Sequence, residues 1–208
     1  MAKEKRLIEL VRAIQQEYGQ NFYIYAIPGF LSRNFMAYCA MRQDLELLLK
    51  YIDELSSNNY DTVIKSSLTY GIITLYGKCY TDASHYKSAK LEAKDLFKQN
   101  PEHLHTHNEL MKMRHHFIAH RGDTENEVTV TYMLVDMNKN GLEDQIKFRR
   151  LKQAGFSEEH LMNIKALAQF IIKCLEPKIQ KSGDKVHKAL FEIFSPEQIT
   201  LMLMNNAK

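Results

Sequence analysis

The sequence has few of the residues that punctuate loops, no paired cysteines and no long apolar run. Its 208 residues include eight glycines and four prolines, too few for a loop-rich or disordered chain. The three cysteines, Cys39, Cys79 and Cys174, lie far apart without CxxC spacing. That pattern argues against a disulfide framework and for reduced, buried thiols. The opening MAKEKRLIEL is charged and lacks the apolar centre of a secretory signal. No apolar stretch approaches the roughly 20 residues of a membrane span. A soluble, cytoplasmic protein without membrane association is expected. Charge of one sign is scarce too: 28 Lys and Arg face 25 Asp and Glu, a net charge of +3. Such a balance permits nucleic-acid binding without indicating it. No Gly-rich phosphate loop, nucleophile elbow, HExxH or paired-carboxylate pattern occurs.

What is present is helical periodicity, over a length suited to one domain spanning 1–208. Leu7, Ile8, Leu10, Val11 and Ile14 trace an apolar stripe on a first helix. The aromatic segment 21–30, interrupted by Pro28-Gly29, reads as a connection. A long helix is expected over 33–55, with Met36, Cys39, Leu45, Leu48 and Ile52 on its core face, ended by Ser56-Ser57-Asn58-Asn59. Asp61 caps a further helix reaching about Tyr80. Its middle, LTYGIITLYG, is apolar nearly all round, which predicts burial on several sides and close approach of a neighbour at Gly71. A shorter helix is expected over 85–98. Asn100 as a cap and Pro101 in the first turn should start the next one, which runs to His120 or Arg121 before Gly122.

Beyond it the period changes to two. Val128, Val130, Tyr132 and Leu134 alternate with Thr129, Thr131 and Met133, a strand pattern, and Asn138–Gly141 is a turn signal. A β-hairpin over about 127–151 follows. C-terminal helices are expected over 157–206: one from Ser157 to about Ile179, a break at Lys181–Asp184, and a terminal apolar helix. Ser195-Pro196-Glu197-Gln198 forms a capping box for the last. The expected fold is mainly α, an antiparallel helical bundle with a small β-hairpin inserted after the 102–120 helix.

The residues richest in chemistry lie in LMKMRHHFIAHRGDTE, 110–125. Arg114 is followed by His115, four further residues and His120. Histidine moves protons near neutral pH, and arginine stays charged and braces phosphate with two hydrogen bonds. Together they suit metal-independent phosphodiester cleavage. On an ideal helix Arg114 and His120 stand about 120° apart and about 9 Å apart along the axis. One straight helix therefore does not aim both at a single phosphate. Unwinding near Gly122, or two copies facing each other, would be needed. The bland reading is a solvated arginine and a histidine at the helix C-terminus, where the dipole favours cations.

Arg114-His115, four residues and His120 resembles the motif of HEPN-domain ribonucleases: arginine, a polar residue, four variable positions and histidine. ITLYGKCYTDA at 73–83, together with the hairpin after the motif, is similar to the HEPN branch associated with abortive infection. The resemblance spans about residues 35–180 and implies a homodimer whose two motifs form one composite site. It makes Arg114 the phosphate clamp, His120 the general acid/base and His115 the polar second position. The implied reaction is 2′-hydroxyl attack on RNA, without cofactor or metal, in phage defence or a toxin system. An antitoxin or other regulatory protein is an implied partner. Arg121, Lys147 and Arg149 are candidate RNA contacts. The alternative implied by the same family is a non-catalytic module that dimerises and binds RNA or protein.

Other constellations have plainer readings. Six of the nine histidines lie between 103 and 120. His116 and His120, four apart, have a spacing that can bind zinc, with Asp123 as a further donor. However, His103, His105 and His107 alternate and cannot share one helical face. Lys147, Arg149, Arg150 and Lys152 form one basic group, and Lys178, Lys181, Lys185 and Lys188 another; a solvated face is the ordinary reading of each. Tyr70, Tyr76, Tyr80 and Tyr86, at helical spacing, suit core positions better than base stacking.

Overall fold

A computed structural model describes residues 2–19, 22, 24, 26–82, 85, 88–118, 127–134, 145–152 and 155–198. It is mainly helical: α1 (Ala2–Tyr18), α2 (Gly29–Ser57), α3 (Thr62–Lys78), the single turn α4 (Ala93–Leu96), α5 (Glu102–Lys112) and α6 (Glu158–Ile193). A two-stranded antiparallel sheet, β1 (Glu127–Leu134) with β2 (Gln145–Lys152), lies between α5 and α6. Among the described residues no helix is long and apolar enough to cross a membrane.

The bundle is built on α2. Its Met41, Leu45, Leu48 and Ile52 repeat at alternating four- and three-residue steps and are buried. Leu161, Ile164, Ala168, Ile171 and Leu175 of α6 repeat in the same way. Two such stripes interdigitate along their length, and each fully buried leucine or isoleucine contributes about 1.5–3 kcal/mol. The pair is antiparallel: Lys165 Nζ meets Asp53 Oδ1 at 2.7 Å, and further along Phe35 lies against Gly183. The third wall, α3, is capped at its start by Asp61, whose Oδ1 accepts from the Ile64 N–H at 2.9 Å. The expected close approach at Gly71 is there. A Cβ would stand 2.6 Å from Tyr51 Cε2 of α2. Ile72, Ile73 and Tyr76 fill the core beside it.

Several boundaries differ from expectation, each for a tertiary reason. Pro28-Gly29 begins α2 instead of interrupting a connection, proline's fixed φ serving the helix start. Regular helix within 85–98 is confined to α4. Leu91 and Phe97 both enter the core, and the Leu91 N–H is held by Cys79 O at 2.9 Å, so the segment lies across the bundle. Asn100 does not cap α5 with its side chain. That amide points back to Leu96 O at 3.5 Å, and Pro101 itself has helical backbone angles.

The expected break at 181–184 is absent; α6 runs unbroken through Pro177, Ser182 and Gly183. Ser182 Oγ donates to Ile179 O at 2.9 Å, Gly183 admits the Phe35 ring, and Val186 is buried. Packing on α2 thus outweighs the local penalty of glycine and proline. After α6 both halves of the capping box form. Ser195 Oγ accepts from Gln198 N–H at 3.2 Å, and Gln198 Oε1 accepts from Ser195 N–H at 2.9 Å. The expected terminal apolar helix beyond Gln198, and the 138–141 turn, lie outside the described residues.

The hairpin forms where the alternation placed it, in the register Val130↔Arg149 and Tyr132↔Lys147. Its alternation does not mark a buried face. Val130, Tyr132, Ile146 and Phe148 are all exposed, so both faces of the ribbon meet solvent. At its base, buried Glu127 of β1 accepts from Arg150 Nε of β2 at 2.6 Å, a bond between the two strands. The stripe of α1 is likewise open, with Leu7, Ile8 and Leu10 exposed.

Candidate functional site

Arg114 emerges where the helix changes type. The α-helical pattern stops at Lys112, and Met113–Ile118 continue as π-helical turns. Such widened turns recur at functional sites, and they alter the faces on which successive side chains emerge. The angle expected for an ideal α-helix therefore does not carry over. His115, the next residue, is exposed. His120, Arg121, Gly122 and Asp123 lie outside the described residues, as does the side chain of His116.

The stem of Arg114 crosses α3 at Gly77. A Cβ on Gly77 would collide with Arg114 Cδ and stand 2.7 Å from Nε. The arginine can lie there only because residue 77 has no side chain. Its Nη2 donates to Thr81 Oγ1 at 2.8 Å. Thr81 spends its own proton on Gly77 O at 3.0 Å, which turns its lone pairs toward the guanidinium. Among the described residues no carboxylate pairs with Arg114. A half-buried arginine oriented by a neutral hydroxyl, with no anion paired to it among the described residues, can donate to a phosphate.

Beneath this surface lies a buried polar pair. The Tyr76 hydroxyl is 2.7 Å from His107 Nδ1, and the Tyr80 and Phe97 rings pack on the imidazole at 4.6 and 4.9 Å. Burial lowers the His107 pKa to about 4 and raises those of Tyr76 and Tyr80 above the ordinary tyrosine value. Both groups are neutral near pH 7, and which of them donates across this contact depends on the imidazole tautomer. This contact pairs two buried polar groups and joins α5 to α3 about two helical turns before Arg114. Burial also pushes the Cys79 thiol up to about 12, which keeps it protonated and inert.

The histidine cluster is dispersed. His103 stacks on Phe170 at 4.7 Å, His105 is exposed beside Glu109, and His107 is the buried partner of Tyr76. Glu109 also accepts from His160 Nε2 at 3.1 Å. Among the described residues no three His, Cys, Asp or Glu side chains converge as a metal site would require.

Lys147 and Arg149 of β2 share one face of the hairpin, opposite Tyr132 and Val130. Among the described residues neither pairs with a carboxylate, whereas Arg150 on the other face is committed to Glu127. Sequence reasoning missed Gly77, Thr81 and the Tyr76–His107 pair. A signal did exist. Gly77 and Thr81 lie four apart within ITLYGKCYTDA, and the residue opposite them is Arg114. No family model, curated protein or solved structure matches the chain.

Proposed function

We propose that this chain is a HEPN-type endoribonuclease that acts as a homodimer in a toxin or phage-defence system. The observation that carries the reading is the seating of Arg114. The arginine of an RHx4H motif lies in a glycine notch, bonded to Thr81 and without a carboxylate partner among the described residues. Structural arginines are ordinarily neutralised by carboxylates.

In this mechanism Arg114 braces the non-bridging oxygens of a scissile phosphodiester, its fixed Nη2 setting the plane of the guanidinium. His120 of one protomer takes the proton of the ribose 2′-hydroxyl as O2′ attacks phosphorus. The P–O5′ bond breaks, and His120 of the other protomer gives a proton to the departing O5′. The products are a 2′,3′-cyclic phosphate and a 5′-hydroxyl, with no metal required. His115 orients the site, and Arg121, Lys147 and Arg149 follow the RNA backbone. An antitoxin-type protein restrains the activity.

The test is incubation of the purified chain with mixed RNA in EDTA, alongside His120→Ala and Arg114→Ala. The wild type should leave cyclic-phosphate ends, and each variant should be slower by about 10² or more. Sedimentation should give the mass of a dimer. Equal cleavage by wild type and His120→Ala would overturn the assignment. A second reading draws on the hairpin, whose apolar side chains are open on both faces: a non-catalytic module that dimerises and binds RNA or protein. RNA retention without cleavage would favour it.

A further inference from the structure

α2 and α6 run on together past the end of α3, which is marked by the ion pair between Lys78 Nζ and Asp44 Oδ2 at 2.6 Å. Between them lies a cavity of about 520 Å³, lined by the first turns of α2 and the second half of α6. Lys178, Lys181 and Lys185 occupy positions i, i+3 and i+7 of α6, one face of that helix. Arg33 faces them from α2, and the Phe35 and Tyr38 rings form the wall.

Among the described residues none of Arg33, Lys178, Lys181 and Lys185 pairs with a carboxylate, and no acidic side chain lines the cavity. The two acids of this stretch are turned elsewhere: Asp184 accepts from Gln180 at 2.9 Å, and Glu176 acts on Arg42. Like charges at this spacing repel, so an anion bound among them would relieve that repulsion. The first turn of α2, which has no acidic residue and no side-chain cap, adds positive potential at the same end. The volume is that of a small-ligand site.

We infer that this cavity binds a nucleoside phosphate, its cations holding the phosphate and its aromatic wall the base. The ligand is either a free nucleotide or one nucleotide unit of an RNA strand. This site is separate from Arg114 and does not depend on whether the chain cleaves RNA.

Calorimetric titration of the full-length chain with AMP, ribose 5-phosphate and a short single-stranded RNA tests it. AMP should bind several-fold or more tightly than ribose 5-phosphate, because base stacking is worth about 1–3 kcal/mol. Lys181→Ala/Lys185→Ala should weaken AMP at least about tenfold. These side chains are exposed, so the melting temperature should hold. Lys178→Glu should do the same, whereas Lys188→Ala, a lysine of α6 that pairs with Glu192 and does not line the cavity, should leave AMP binding unchanged. Displacement of AMP by the RNA identifies a strand unit as the ligand; failure to displace identifies a free nucleotide. The proposal falls if the cavity substitutions leave AMP and RNA binding intact, if AMP and ribose 5-phosphate bind equally, or if neither AMP nor RNA binds.

Discussion

Gly77 decides where Arg114 can go. Replacing it with alanine puts a methyl group where the arginine stem runs, yet alanine favours helix by about 1 kcal/mol over glycine. Gly77→Ala should therefore hold its melting temperature within a few degrees while the proposed RNA cleavage falls towards the Arg114→Ala level. A parallel loss of stability and activity would mean that the glycine serves packing alone. Gly71→Ala is the contrast. There the obstacle is the Tyr51 ring inside the α2–α3 contact, and overpacking should cost about 1–3 kcal/mol in denaturant unfolding. His107 gives a pH signature. Its folded pKa of about 4 lies below the unfolded value near 6.5. Between those values the unfolded chain holds more protons, so stability is complete above about pH 6.5 and declines as pH falls towards 4. A His107→Gln chain should lose that slope, which urea unfolding at several pH values will measure.

At the level of elements, the helices differ in what maintains them. α2, α3 and α6 rest on stripes that bury completely, and Leu48→Ala or Ile171→Ala should cost about 2–5 kcal/mol. The hairpin is different: the Glu127–Arg150 pair joins its own two strands, and its large apolar side chains are exposed. Ile146→Ser and Phe148→Ser should leave the thermal midpoint of the helical signal nearly unchanged, within about 0.5 kcal/mol. If either lowered it substantially, the ribbon would have to pack on the bundle in solution. Strand alternation was legible because period two is a local property. The exposure of both faces was not, since that depends on whether another element arrives to cover them. The same distinction explains the loop before α5: residues 85–98 have helical periodicity in part, but the burial of Leu91 and Phe97 stretches them across the core.

For the whole molecule, the antiparallel α2–α6 pair sets the frame, and the two candidate sites lie on different parts of it. Arg114 is on the α3–α5 side, and the cationic cavity is on the run of α2 and α6 beyond α3. Dimerisation would bring together two Arg114 segments, and the open stripe of α1 adds apolar surface available for it. The sequence by itself determined the helical class, the strands of the hairpin, the cap at Asp61, the helix start at Ser157, the capping box at Ser195, and the close approach at Gly71. All of these follow from periodicity, backbone freedom or side chains a few residues apart. It also singled out Arg114 by its spacing from His120. Only the tertiary structure decided that Arg114 lies across Gly77 to reach Thr81, that His107 is sealed against Tyr76, and that α6 continues through Pro177 and Gly183. Those outcomes join residues about thirty or more positions apart or set a local penalty against long-range packing, and no local pattern encodes the balance.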